Sequence, residues 1–511
     1  MKRKMNFLRL ALILGLLSVL TLGTVNAETC ERKIIVFNED VTQEQIDDYI
    51  NSWQEFGLIP VESISLINGY VVCVPELITN DQLSGDPRVL AVENDEEIGS
   101  QSSANVTYVA PDEVIEEVQE VDEGIEDELQ ASGFRRIKRF IRVFSSYQLK
   151  STFRRPWGML SLLGHHYDRS DYSSVFVGTK LYPDTIELAK QKLAHKKIKV
   201  AVFDTGIDYT NPIFSESIKG GKDLVNFIDE IPMDINGHGS HVSASIVGEE
   251  TGLAEGCELY AVKVLDDDAT GRVSTLIKAF QWAIKKKIDV INMSIAFRQN
   301  NFAVRLAVKK AYRSGIILVA AVGNHSNWLD DNEAAGASVD WGYAAGNSGV
   351  VIDVDADNSD DSAESDETNQ MTEEEIQAVA DGGASEGGAS AYGSSAIPFP
   401  VMYPAAYPEV IAVGAHDSSG KLARFTNFGK EMDITAPGVG IISANIKSIS
   451  KYGVCNGTSM AAPHVAAAVA LMKALDQNNK LSPAKAKSIL KKTATNGKLN
   501  LKDALAEVLK L

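Results

Sequence analysis

The chain has 511 residues, with 69 Asp and Glu against 49 Lys and Arg and a formal net charge of −20. So acidic a balance excludes a nucleic-acid binder, whose affinity rests on Lys and Arg contacts to phosphate. Four cysteines are too few for a disulfide scaffold in a chain of this size.

Lys2, Arg3 and Lys4 precede an apolar run from Leu8 to Leu22, and Val25-Asn26-Ala27 offers small residues for cleavage, so residues 1–27 read as a secretory signal peptide. The run is shorter than the ~20 residues a membrane span needs, and no later stretch reads as a span. Residues 28–98 read as a separate small unit. Strands are predicted at 33–37, 61–66, 69–74 and 89–92, with helices over 42–56 and near Asp81, in the order β-α-β-β-α-β. The stretch 99–155 changes character. Residues 112–128 carry ten acidic and no basic side chains, whereas Arg135-Arg136-Ile137-Lys138-Arg139 and Arg154-Arg155 are basic. This is the composition of a charged linker, and the basic cluster either balances the acidic one or marks a processing site.

From residue 156 onward, apolar strands alternate with amphipathic helices, the pattern of a doubly wound parallel α/β sheet. Strands are predicted at 199–203, 258–265, 289–294, 316–322 and 410–414, and helices at 273–287, 302–314, 459–475 and 483–492. A last helix is expected over 501–509. Three segments carry chemistry. Val200-Ala201-Val202-Phe203-Asp204 is an apolar strand that delivers a carboxylate at a Gly turn. Asn236-Gly237-His238-Gly239-Ser240-His241 sets an imidazole between glycines at a helix start. Gly457-Thr458-Ser459-Met460-Ala461-Ala462-Pro463 sets a hydroxyl where a Gly turn enters an Ala- and Val-rich helix. A serine there is an ordinary N-cap when taken alone. With a base and an orienting carboxylate elsewhere in the chain it becomes a candidate nucleophile, and the helix N-terminus can stabilise an oxyanion.

On these three boxes, in the order Asp, His, Ser, the chain resembles the subtilase superfamily of serine proteases, peptidase family S8. The resemblance implies a subtilisin-like catalytic domain over 156–511 with a seven-stranded parallel core. It implies Asp204, His238 and Ser459 as the triad. Ala320-Ala321-Val322-Gly323-Asn324 is similar to the family's oxyanion segment, so Asn324 is expected to donate to the oxyanion with the Ser459 N–H. Loss of that donor in subtilisin costs on the order of 100- to 1,000-fold in turnover. Residues 28–98, which include Ile67-Asn68-Gly69-Tyr70, resemble the family propeptide, a ferredoxin-like α+β inhibitor and folding chaperone. Pro156-Trp157-Gly158-Met159 resembles the start of a mature domain, so processing is expected between 99 and 155. Removal of the propeptide would take Cys30 and Cys73 and leave Cys257 and Cys455 as thiols.

The departures bear on specificity. Asn292-Met293-Ser294-Ile295 resembles the edge that pairs with an extended substrate. Ala296 and Phe297 follow where the family commonly has glycine, which narrows the upstream subsites. Gly323 and Met402 are expected to line the primary pocket, with Met402 in place of a small residue, so large aromatic side chains fit poorly. The connection between the His238 helix and the next strand, Gly248-Glu249-Glu250-Thr251-Gly252, is too short for a family calcium loop. Asn324 and Tyr403 are separated by 78 residues, far more than in the family, and residues 326–395 hold 17 Asp and Glu with no Lys or Arg. This acidic insertion, 326–397, is either a solubilising loop or a rim that attracts basic substrates. Within it, Asp353, Asp355, Asp357, Asp361 and Glu364 occupy positions 1, 3, 5, 9 and 12 of a calcium loop. Chance spacing in an acidic block stays open as the other reading.

The expectation is a secreted serine endopeptidase made as a zymogen, acting on polypeptides through an acyl-enzyme. It needs no cofactor for catalysis, with structural Ca2+ as an option. Its own propeptide is an intramolecular inhibitor; no nucleic acid and no stable membrane span are expected, and the chain is taken as a monomer. The rival is a catalytically silent, calcium-dependent binding protein on the same fold, and a narrower alternative is a protease specific for basic sites.

Overall fold

A computed structural model describes residues 30–100, 103–107, 162, 184–214, 216–226, 231–328, 396–397, 399–446 and 452–511. The expected signal peptide, the charged stretches of 112–155, the Pro156–Met159 segment and the five carboxylates expected to form a calcium loop lie outside the described residues. The chain divides into two compact units, Met1–Asp95 and Glu96–Leu511.

In the first unit, β1 (Glu31–Phe37), β2 (Ile59–Ile64), β3 (Gly69–Val74) and β4 (Val89–Asn94) form an antiparallel sheet of order β2-β3-β1-β4. Two helices, α1 (Gln43–Gln54) and α2 (Asn80–Ser84), start at Thr42 and Thr79. Each threonine forms a capping box with the glutamine three residues on, Gln45 and Gln82. The inward side chains Ile35, Phe37, Ile46, Tyr49, Leu58, Val72 and Leu83 make one core. The β2–β3 turn requires Asn68 in the left-handed region at φ 48°, where its amide donates to Asn38 O and Val41 O. Cys30 and Cys73 form a disulfide, with Cα atoms 5.5 Å apart. The expected β-α-β-β-α-β order is the observed one.

The second unit is built on a seven-stranded sheet. Its strands are β7 (Lys199–Asp204), β8 (Ile218–Asp223), β9 (Glu258–Lys263), β11 (Val290–Met293), β13 (Ile317–Ala321), β16 (Val410–His416) and β17 (Ile434–Pro437). They are all parallel, in the order β17-β16-β13-β11-β7-β9-β8. Alternation along β7 shows that both faces are covered. Val200 and Val202 join the core made with α3 (Asp184–Lys196), α4 (His238–Val247) and α7 (Thr458–Leu475). Phe203 points the other way, its ring 5.5 Å from Phe280 of α5 (Val273–Lys286), and α5 packs on α6 (Phe302–Arg313). Two more helices follow α7, namely α8 (Pro483–Thr493) and α9 (Leu501–Val508).

By length and apolar content α7 would cross a bilayer, contrary to the expectation that nothing beyond the N-terminus would. It is 94% buried, however, and its all-round Ala and Val content suits the centre of a core. The sheet order reverses between β7 and β11. Side chains at the carboxyl ends of these two strands therefore face the crevice where α/β sheets hold ligands.

Smaller ladders complete the unit. Chain residues β5 (Glu97–Ser100) lie between β10 (Thr270–Arg272) and β12 (Ile295–Ala296), antiparallel to both. Downstream, β6 (Ser103–Thr107) pairs antiparallel with β19 (Tyr452–Asn456), whose other neighbour is β18 (Ile441–Ala444). Finally, β14 (Asn327–Trp328) pairs with β15 (Ala396–Ile397), so the acidic insertion leaves and returns at one point.

Candidate active site

Asp204 ends β7 at the reversal of strand order, and its Oδ1 accepts from the Thr205 N–H at 2.8 Å. The same oxygen lies 2.7 Å from Nδ1 of His238, the first residue of α4. That bond fixes the imidazole proton on Nδ1 and leaves Nε2 as the basic atom. Nε2 has no hydrogen-bond partner among the described residues. The glycines flanking His238 are needed for approach. Gly237 adopts φ 104°, and a Cβ on Gly239 would come within 2.3 Å of Gly206 O.

Burial is the largest single influence on the His238 pKa and lowers it. The Asp204 charge, the Asp204 hydrogen bond and the Asp234 charge together outweigh burial, and the net shift is upward. Asp234 was not singled out in the sequence. Its carboxylate, 3% exposed, accepts from Thr205 Oγ1 at 2.9 Å, Gly237 N at 2.8 Å, Ser240 N at 2.8 Å and Ser240 Oγ at 2.6 Å. It thereby ties the turn after Asp204 to the start of the His238 helix.

Ser459 is the second residue of α7, which packs against α4. Its Oγ donates to Ser294 O at 3.3 Å, and Ser294 Oγ donates to Ser459 O at 2.9 Å. The second bond has a sequence cause. In an α-helix the Ser459 carbonyl would receive the N–H of residue 463, and Pro463 has none. Ser294, just beyond β11, supplies the missing donor. Ser294 was expected only as a substrate contact.

Asn324 follows β13. Its Oδ1 accepts from Thr458 N at 2.9 Å and Thr458 Oγ1 at 2.8 Å, which assigns the amide orientation and makes Nδ2 the donating end. Gly323 adopts φ 108°, and a Cβ there would lie 2.4 Å from Asn427 Nδ2 and 3.0 Å from Met402 Sδ. Met402 is thus beside Gly323, and its N–H donates to Val322 O. Ile295 and Ala296 pair with Ser100 and Gly99, so this edge accepts an extended strand. Phe297, 3% exposed, stacks on Tyr403 with ring centres 6.1 Å apart.

The root of the insertion adjoins Asn324. Asn427 Oδ1 accepts from His325 N and Ser326 N, while Ser326 Oγ accepts from Phe399 N at 2.8 Å. The His325 ring stacks on Phe399, with the Arg298 guanidinium 5.5 Å from the same ring. Between α4 and β9 the chain turns tightly, with Gly252 N donating to Gly248 O at 2.7 Å. Among the described residues no group of three or more His, Cys, Asp and Glu could hold a metal ion.

A profile described as the Subtilase family matches residues 195–398 and 395–506. Subtilisin NAT of Bacillus subtilis subsp. natto is 32% identical over 313 residues, 60% of this chain and 63% of its own length. Subtilisin of Bacillus pumilus is 32% identical over 313 residues, which cover 87% of it. The Major intracellular serine protease of Bacillus subtilis (strain 168) is 32% identical over 296 residues, 56% of this chain and 70% of that one. The alignment therefore spans less than two thirds of Subtilisin NAT.

Proposed function

The chain belongs to the subtilase family, and on that premise we propose that it is a serine endopeptidase. The observation that carries the reading is the 2.7 Å hydrogen bond from His238 Nδ1 to Asp204, which leaves Nε2 as a base. In the proposed reaction Ser459 Oγ attacks a peptide carbonyl and its proton passes to His238 Nε2. Asp204 stabilises the imidazolium that results. The oxyanion receives hydrogen bonds from the Ser459 N–H and Asn324 Nδ2, which the two Thr458 bonds hold in place. His238 then protonates the leaving amine, and water hydrolyses the ester by the same relay. Substrates are polypeptides that add a strand to the Ile295–Ala296 edge.

The finer proposal is that this enzyme is secreted as a zymogen, acts as a monomer, and is held inactive by its first unit. The apolar N-terminal run supports secretion; relatives named for both extracellular and intracellular sites leave the compartment to that run. Casein hydrolysis and labelling by a fluorophosphonate test the function. Wild type is expected to do both and Ser459→Ala neither. A soluble, unlabelled, inactive wild type would leave the silent binding protein. Calcium in the loop of Asp353, Asp355, Asp357, Asp361 and Glu364 is a separate proposal. Isothermal titration with calcium should give one site that Asp353→Asn with Asp357→Asn removes.

A further inference from the structure

Resting on the protease reading, we propose that Lys263 is a positioning residue for catalysis, one joint in a closed circuit of hydrogen bonds that holds Asp204 and His238 against each other. Lys263 ends β9, next to β7, and the parallel register places it opposite Asp204. Its side chain is 3% exposed, a burial that lysine reaches only with partners for its charge. The ammonium donates to Thr205 O at 2.7 Å and to Asp267 Oδ1 at 2.9 Å. Asp223, opposite Lys263 on the other side in β8, has its carboxylate committed to Val225 N, Asn226 N and Asn226 Nδ2. The ammonium is therefore turned toward the end of β7.

Two arms run from this lysine to the catalytic pair. The first is Thr205, whose carbonyl Lys263 holds and whose N–H donates to Asp204 Oδ1 at 2.8 Å. The Thr205 hydroxyl donates to Asp234 and accepts from Gly239 N, so the residue cannot turn without breaking contacts on every side. The second arm runs through Asp267. Its carbonyl accepts from Asn236 Nδ2 at 2.9 Å, and Asn236 Oδ1 accepts from His238 N at 3.2 Å. Asp266 stiffens the same turn by accepting from Asp268 N and Thr270 N. The 2.7 Å contact of His238 Nδ1 with Asp204 closes the circuit. A displacement of about 1 Å at a reacting group can cost on the order of a hundredfold in rate, so fixing both ends of this contact bears on turnover. Lys263 acts on the pair only through these partners.

The test is a double-mutant cycle on the full chain. Lys263→Met keeps an apolar stem and removes the ammonium, and Asn236→Ala opens the other arm. Among the described residues no hydrogen bond joins these two directly. Independent effects on kcat would multiply, whereas two cuts in one circuit do not. Asp267→Ala is the third variant; its side chain is 55% exposed, so it cuts the circuit from the surface with little risk to folding. Readouts are kcat and KM on a neutral peptide, fluorophosphonate labelling and the melting temperature.

The expected result is a fall in kcat of roughly ten- to a hundredfold in each single variant, with KM unchanged for Lys263→Met. The double variant should be no slower than the slower single. Single effects that multiply overturn the circuit. Wild-type kcat in Lys263→Met or Asp267→Ala, with only the melting temperature lowered, makes Lys263 a structural ion and overturns its positioning role while the protease reading stands. A wild type that neither hydrolyses nor labels overturns the protease reading and this proposal with it.

Discussion

Ser294 and Pro463 make a pair that neither residue announces by itself. Pro463 removes the donor that would hold the Ser459 carbonyl, and Ser294 restores it from another element. In a Ser459→Ala background, Ser294→Ala should destabilise by about 1–3 kcal/mol, the cost of a buried acceptor left unmade. Adding Pro463→Ala should recover most of that, read by urea unfolding; no recovery would remove the donor from the explanation. Asp234 gives a second test. It is among the charges that raise the His238 pKa. A base must be neutral to act, so activity falls as pH drops through that pKa. Asp234→Asn should therefore move the acidic limb of the kcat/KM profile to lower pH, whereas an unmoved limb would confine Asp234 to shaping the turn. Asn324→Ala should lower kcat on the order of 100- to 1,000-fold with little change in KM. The candidate residues Asp204, His238 and Ser459 stand out in the sequence because Asp-Thr-Gly, His-Gly-Ser-His and Gly-Thr-Ser are local words. The partners of Asp234 and Ser294 lie in other elements, and no local pattern carries them.

The core strands of the sheet were legible as well, since β7, β11, β13 and β16 are covered on both faces and read as unbroken apolar runs. The two edges escaped. β8 has the sequence IKGGKD, with two glycines and three charges, and β17 is only four residues ending in proline. β5 and β6 are strands because of what they pair with, and their composition reads as linker. Three buried histidines respond to acid as a set. His241 is pushed down to about 3 by burial and then by His238, and His464 and His416 to about 4, burial again first. Each would bind a proton near pH 6.5 once unfolded, so the unfolded chain takes up more protons as pH falls. His238, raised, works in the opposite sense but is one against three. The melting temperature of Ser459→Ala should therefore fall steadily between about pH 6.5 and 4. A flat curve over that window would show the histidines to be titrating in the folded state.

The molecule carries most of its excess charge in one cassette. Residues 326–395 hold 17 carboxylates, rooted next to Asn324 and closed by the β14–β15 ladder. Because that ladder joins the ends, replacing residues 329–395 by a short Gly-Ser turn should leave the site intact. The shortened protein should keep its kcat/KM on neutral peptides and lose about tenfold on Lys-rich ones at low salt, with the gap closing in molar salt. Equal losses on both would tie the cassette to the fold. The Cys30–Cys73 bridge belongs to the first unit, and the remaining cysteines, Cys257 and Cys455, are buried thiols of the second. Cleavage between the two units, as the zymogen proposal requires, would therefore divide the chain's oxygen history in two. The uncut chain would need an oxidising place in which to be born, and the second unit alone would carry no disulfide for a reductant to undo.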